Sequence, residues 1–181
     1  MSETKRRGKA VKWSSIAGIL AIIWMCVIFS FSAQTKEESG AVSEGFSYRM
    51  VSTTGLLFHL HIDEEQIRAI ARAIEGFVRK CAHMAEFAIL GWLLYGWLCG
   101  RQLTRLRRAC VAAGLAILYA CSDEFHQLFV KGRAGRVSDV FIDSIGIVLG
   151  MVFLLLLLRF VEWRLERRRR KKSGILPDGS R

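Results

Sequence analysis

The sequence predicts an all-α integral membrane bundle of four transmembrane helices, with an amphipathic helix on the outer side before the second span. Three observations carry that expectation. Trp13–Phe31 and Val140–Leu158 are apolar runs long enough, at about 1.5 Å per residue, to cross a hydrocarbon core roughly 30 Å thick. Met151–Leu158 has no polar face, which a core helix of a soluble domain would keep. The basic residues behind the formal net charge of +11 are gathered beside the apolar runs.

In chain order, residues 1–12 form a basic cytoplasmic lead, and the first span covers about 13–32 with Trp13 at the inner interface. A basic start before an apolar stretch also suits a secretory signal, with Ser32-Ala33 a poor cleavage site; the length of the stretch favours an uncleaved anchor. Residues 33–61 are polar and contain glycine, and are expected as an outer loop. From Asp63 the pattern becomes helical, with Gln66 three residues on as in a capping box. Ile67, Ile70, Ala71, Ile74, Phe77 and Val78 recur at helical spacing opposite Glu64, Glu65, Arg68, Arg72 and Glu75. Such a helix either lies on the outer membrane surface or packs on the other helices, and Gly76 marks a place for it to bend into the second span.

The second span covers about 80–99, the third about 108–130 and the fourth about 139–159, giving one membrane domain over 13–159 and a basic cytoplasmic tail at 160–181. The clean apolar run of the third, Ala109–Cys121, rises only about 20 Å. Ser122–Gln127 must then complete the crossing, which puts Asp123 within the outer part of the membrane. Gly96 with Gly100, Gly146 with Gly150, and Ala112, Ala116 and Ala120 recur one turn apart, as close-packing helices need.

Placement of charge sets orientation and partners. Lys5–Lys12, Arg101–Arg108 and Arg164–Lys172 flank the inner ends of the spans, so both termini are expected in the cytoplasm, with the chain multi-pass in a bacterial inner membrane. Attraction to anionic headgroups accounts for the basic tail, and no nucleic-acid partner is expected. The five cysteines are scattered through apolar runs with no Cys-x-x-Cys pair, so they read as small apolar filler.

The chemistry is expected where ionisable residues interrupt the apolar runs. Counted from the inner ends of their helices, Glu86, Asp123 and Asp143 all lie about 21–24 Å outward, with His83, Gln127 and Asp139 a turn further. Arg79, His83 and Glu86 share one helical stripe, Asp123, His126 and Gln127 another, and Asp139 and Asp143 a third, with Glu124 about a quarter-turn off. Charge at such depth costs a few kcal/mol unless paired or hydrated, so it marks either a neutralised cluster that fixes register or a polar cavity open to the outer leaflet. Arg79, Arg133 and Arg136 suit a clamp on phosphate or carboxylate. His83 or His126 beside Glu86 or Asp123 suits an acid–base pair. A divalent ion ranks third, because the spacing matches no metal motif, and no cofactor is expected.

Arg79-Lys80-x-x-His83-x-x-Glu86-Phe87, Ser122-Asp123-Glu124-x-His126-Gln127-x-Phe129-Val130-x-Gly132-Arg133 and Asp139-x-x-x-Asp143-x-x-Gly146-x-x-x-Gly150 together resemble the VanZ-like family of bacterial membrane proteins. Phe29-Ser30-Phe31-Ser32-Ala33-Gln34 resembles the family's opening segment, so the likeness covers about residues 13–159. The family is named for a protein associated with low-level teicoplanin resistance. Many members occur outside resistance clusters, so the resemblance implies a cell-envelope setting and does not assign resistance. Asp143 departs from the pattern, which commonly has asparagine or a small polar residue there.

The expected function is binding, and in its stronger form chemical alteration, of an anionic lipid or lipid-linked wall precursor at a pocket facing the outer leaflet. Asp123, His126, His83 and Glu86 are the candidate catalytic residues. Arg79, Lys80, Glu124, Gln127, Arg133, Arg136, Asp139 and Asp143 are the candidate binding residues. The alternative is a non-catalytic membrane protein that lowers glycopeptide access or partners wall-synthesis enzymes. An ion carrier ranks below both, because Met151–Leu158 offers no polar path inward.

Overall fold

The computed structural model describes the backbone of residues 3–172 and the side chains of residues 11–170. Five helices follow in order: α1 (Glu3–Ser32), α2 (Lys36–Leu57), α3 (Glu64–Trp97), α4 (Arg105–Gln127) and α5 (Val137–Lys172). A single 3-10 turn, Leu98–Gly100, completes α3, and no strand occurs among the described residues. The expected basic lead, from residue 3, is continuous with α1, and the expected tail is helical as far as residue 172. Residues 1–2 and 173–181 of those two segments lie outside the described residues.

The segment 33–61, expected as a loop, is mostly helix. Thr35 starts α2 with a capping box: the Glu38 N–H donates to Thr35 Oγ1 at 3.3 Å, and the Thr35 N–H donates to Glu38 Oε2 at 2.8 Å. Two orphan amide donors are thereby satisfied reciprocally. Tertiary contact does the rest, because α2 packs along α3 and buries Ser47 and Gly55. Arg72 Nε meets Glu44 Oε1 at 3.0 Å, and the Arg68 guanidinium lies 5.5 Å from the Tyr48 ring. A polar helix with no strong apolar stripe gives little periodic signal, which is why composition alone reads it as loop.

The amphipathic segment and the second span form one helix, α3. Its start agrees with expectation, since Asp63 Oδ1 accepts from the Gln66 N–H at 2.8 Å and Gln66 Oε1 accepts from the Asp63 N–H at 3.2 Å. No break follows at Gly76, because the chain supplies neither a cap nor a proline there. This long helix is the hub of the bundle and packs against each of α1, α2, α4 and α5.

Small residues allow the closest of these approaches. A Cβ on Gly146 of α5 would lie 2.6 Å from the Met84 carbonyl oxygen of α3, and one on Gly150 would lie 2.7 Å from Ala88 Cβ. The Trp92 indole then donates to the Gly150 carbonyl at 2.7 Å. Ala112, Ala116 and Ala120 of α4 are fully buried beside Phe87, Leu90 and Ile147. These small-residue rows are the packing faces that the spacing predicted.

Three helical stretches are long and apolar enough to cross a membrane: Val11–Ser32, Glu64–Gly100 and Val137–Arg170. Helix α4, the third of the four expected spans, is not among them; Arg105, Arg107, Arg108, Asp123 and Glu124 fall within its 23 residues. Its outer face nonetheless exposes Val111, Leu115, Leu118 and Phe125, as α1 exposes Ile19, Ile22 and Ile23 and α5 exposes Val148, Leu149 and Val152.

Candidate functional site

The loop joining α4 to α5, residues 128–136, folds back over the ends of both helices. Gly132 supplies its one left-handed backbone position, at φ +75°. A Cβ on Gly135 would lie 2.2 Å from the Glu124 carbonyl oxygen, so only glycine lets the loop return this close to α4. From there the Arg136 N–H donates to Glu124 Oε2 at 2.9 Å, and Arg133 Nη2 donates to the Phe31 carbonyl of α1 at 3.2 Å. The loop is thus stitched to two helices.

Beneath it lies a cavity of about 330 Å³ whose wall carries nine of the twelve candidate residues: Arg79, Lys80 and His83 from α3; Glu124 and Gln127 from α4; Arg133 and Arg136 from the loop; Asp139 and Asp143 from α5. Lys36, Gly76, Gly132, Ala134 and Ile142 complete the wall beside them. Sequence reasoning missed Lys36, because it sits in the first turn of the helix read as loop; the spacing of Thr35 and Glu38 was the available signal.

Five cations therefore face three acids. Arg79 is paired with Glu75 one turn away. Lys36, Lys80, Arg133 and Arg136 make no ion pair with any acid among the described residues. Burial, and next the Arg79 guanidinium, press Arg133 below the ordinary range of an arginine, while Asp123, Glu124 and Glu86 act at longer range to favour its charge. The acids are held differently. Gln127 Nε2 donates to Glu124 Oε1 at 3.2 Å and to Asp123 Oδ2 at 3.1 Å. Asp143, only 3 % exposed, lies within electrostatic reach of Glu86, Asp123, Glu124 and Asp139. Acids of three helices therefore lie within electrostatic reach of one another.

The other three candidate residues stand off this wall. Asp123 is buried behind Gln127, and its Oδ1 has no hydrogen-bond partner. His126 stacks on Phe29 of α1 with ring centroids 4.4 Å apart; its Nδ1 is buried without a partner, and it forms no pair with Asp123. Glu86 lines an adjoining cavity, and its Oε2 lies 3.5 Å from His83 Nδ1. Of the expected pairings of His83 or His126 with Glu86 or Asp123, the geometry assembles His83 with Glu86. Helical rotation explains the exchange: Glu124, a quarter-turn off the expected stripe, is the residue that reaches the cavity, because the returning loop covers that side of α4.

A second, larger cavity of about 760 Å³ adjoins the first. It is apolar, lies between α2 and α3 near the end of α1, and shares Arg79, His83 and Arg133 with the polar cavity. Nothing in the sequence reading located it, since one side of its wall comes from α2, the segment expected as a loop. Among the described residues no three His, Cys, Asp or Glu side chains converge as metal ligands would.

Long apolar helices around a charged, loop-covered cavity define a helical protein of membrane type. The chain belongs to the VanZ/LLP1 family, whose family model matches residues 17–159. No curated protein and no solved structure matches it.

Proposed function

We propose that this chain is a four-span protein of the bacterial cytoplasmic membrane that binds an anionic lipid or lipid-linked envelope precursor, with the anionic head in the 330 Å³ cavity. The observation that carries this reading is the set of four cations, Lys36, Lys80, Arg133 and Arg136, turned to one cavity without acid partners. Cations so placed await an anion, and arginine's planar fork suits a phosphate in particular. The apolar outer face of α4 supports a fourth crossing, and the clusters of arginine at Arg101–Arg108 and Arg164–Arg170 support cytoplasmic inner ends. His83, oriented by Glu86, is the side chain best placed to handle a proton on the bound head, while Asp123 acts at one remove through Gln127. Envelope-lipid binding, rather than antibiotic resistance, is what the cavity supports.

Native mass spectrometry of the gently extracted full chain tests the reading. Retention of an anionic lipid in preference to a zwitterionic one is expected, and Lys80→Ala with Arg136→Ala should lose it. Equal retention of both lipids, or unchanged retention by the double variant, would refute the proposal.

A further inference from the structure

The apolar cavity between α2 and α3 is open to the surroundings, with Val42, Phe46 and Phe77 all more than half exposed along it. An ordinary lipid-facing surface is apolar throughout. This one differs at one end, where Arg79, His83 and Arg133 are wall to both cavities and Glu86 stands beside His83, so apolar space runs directly into the charged cluster. Its volume of about 760 Å³ falls within the usual range for small-molecule sites. A charged end joined to an apolar end has the shape and polarity of an amphiphile.

Resting on the anionic-head reading above, we infer that the α2–α3 groove is the seat of the hydrocarbon chain of that same molecule, so that head and chain are bound together across the Arg79–His83–Arg133 junction. The chain would lie along Val42, Phe46 and Met50 of α2 and Ile74, Phe77 and Val78 of α3. Two consequences follow. Helix α2 is a binding element and not a spacer. The site also selects amphiphiles over water-soluble anions, because each methylene that enters the groove leaves water.

Alkyl phosphates of increasing length, measured against the full chain held in amphipol, test this. Dodecyl phosphate should bind at least about tenfold more tightly than butyl phosphate, a modest part of what eight further methylenes could supply. Phe46→Asn combined with Phe77→Asn, both at exposed positions, should remove that difference and leave butyl phosphate binding unchanged. Val42→Trp, which narrows the groove without adding polarity, should act the same way. If butyl phosphate binds and the longer chain brings no gain, or the gain survives both sets of variants, the groove inference fails alone. A neutral dodecyl glucoside that binds as tightly as dodecyl phosphate would also overturn it, since the groove would then be a general apolar surface. If neither phosphate binds, the anionic-head reading falls and takes this inference with it.

Discussion

Arg133 donates from Nη2 to the Phe31 carbonyl at 3.2 Å, which joins the α4–α5 loop to the C-terminal end of α1, 102 residues earlier in the chain. The same guanidinium stands at the junction of the polar and apolar cavities. Arg133→Ala should therefore weaken anionic-lipid binding about 10- to 100-fold, the range for losing charged hydrogen bonds worth about 1.5–3 kcal/mol. Arg133→Lys keeps the charge but not the fork, so it should recover only part of the loss. Lipid titration of the purified variants reads this directly. Full recovery by lysine would show that the fork is not used.

Gly135→Ala should destabilise the loop. The added Cβ would fall 2.2 Å from the Glu124 carbonyl oxygen, a backbone atom that cannot rotate away. The loop must then lift, stretching the Arg136 N–H bond to Glu124 Oε2. A loss of about 1–3 kcal/mol is expected, the usual cost of overpacking. Thermal unfolding in detergent measures the stability, and loss of anion binding measures the displaced cations.

Two helical glycines should respond in opposite directions. Gly146→Ala drives a Cβ to within 2.6 Å of the Met84 backbone and should cost about 1–3 kcal/mol. Gly114 in α4 has nothing within 4 Å of its missing Cβ, so Gly114→Ala should stabilise by about 0.5–1 kcal/mol through helix propensity alone. Chemical denaturation of both variants side by side checks the contrast. Similar effects from the two would mean that α3 and α5 are not in close contact.

Tyr119→Phe should cost about 1 kcal/mol, because its hydroxyl donates to the Met25 carbonyl at 2.7 Å and ties α4 to α1. The ring itself stays packed near Phe87, so anionic-lipid binding should be unchanged. A variant that keeps its stability but loses binding would contradict this assignment.

Acid should fray the start of α2. The Thr35 N–H, and next its hydroxyl, hold the Glu38 carboxyl below its ordinary range. A carboxyl lowered by folding stabilises the cap at pH values above its ordinary pKa, and that contribution is lost as pH falls through the lowered value. Hydrogen exchange at the amides of residues 35–39 should therefore be slow near neutrality, after correction for intrinsic rates, and should lose protection as pH falls through that lowered value. Glu38→Gln should abolish the pH dependence. Because Lys36 lies in this first turn and on the polar cavity wall, anion binding should weaken over the same interval.

The sequence by itself determined the helical class, the apolar stretches, the capped start of α3 and the small-residue faces, because each is a local or periodic property of neighbouring residues. Constant helical rise, counted from the basic ends, also led to the expectation that Glu86, Asp123 and Asp143 come near one another, and Asp143 does lie within electrostatic reach of the other two. Tertiary structure alone decided that Glu124 and not Asp123 faces the cavity, that His83 pairs with Glu86 while His126 turns to Phe29, and that residues 36–57 form a helix lining an apolar groove. Helix propensity differs among ordinary residues by less than about 1 kcal/mol each, so a polar segment carries only a weak local preference between helix and loop. Packing against α1 and α3 outweighs that preference, and packing cannot be read one residue at a time.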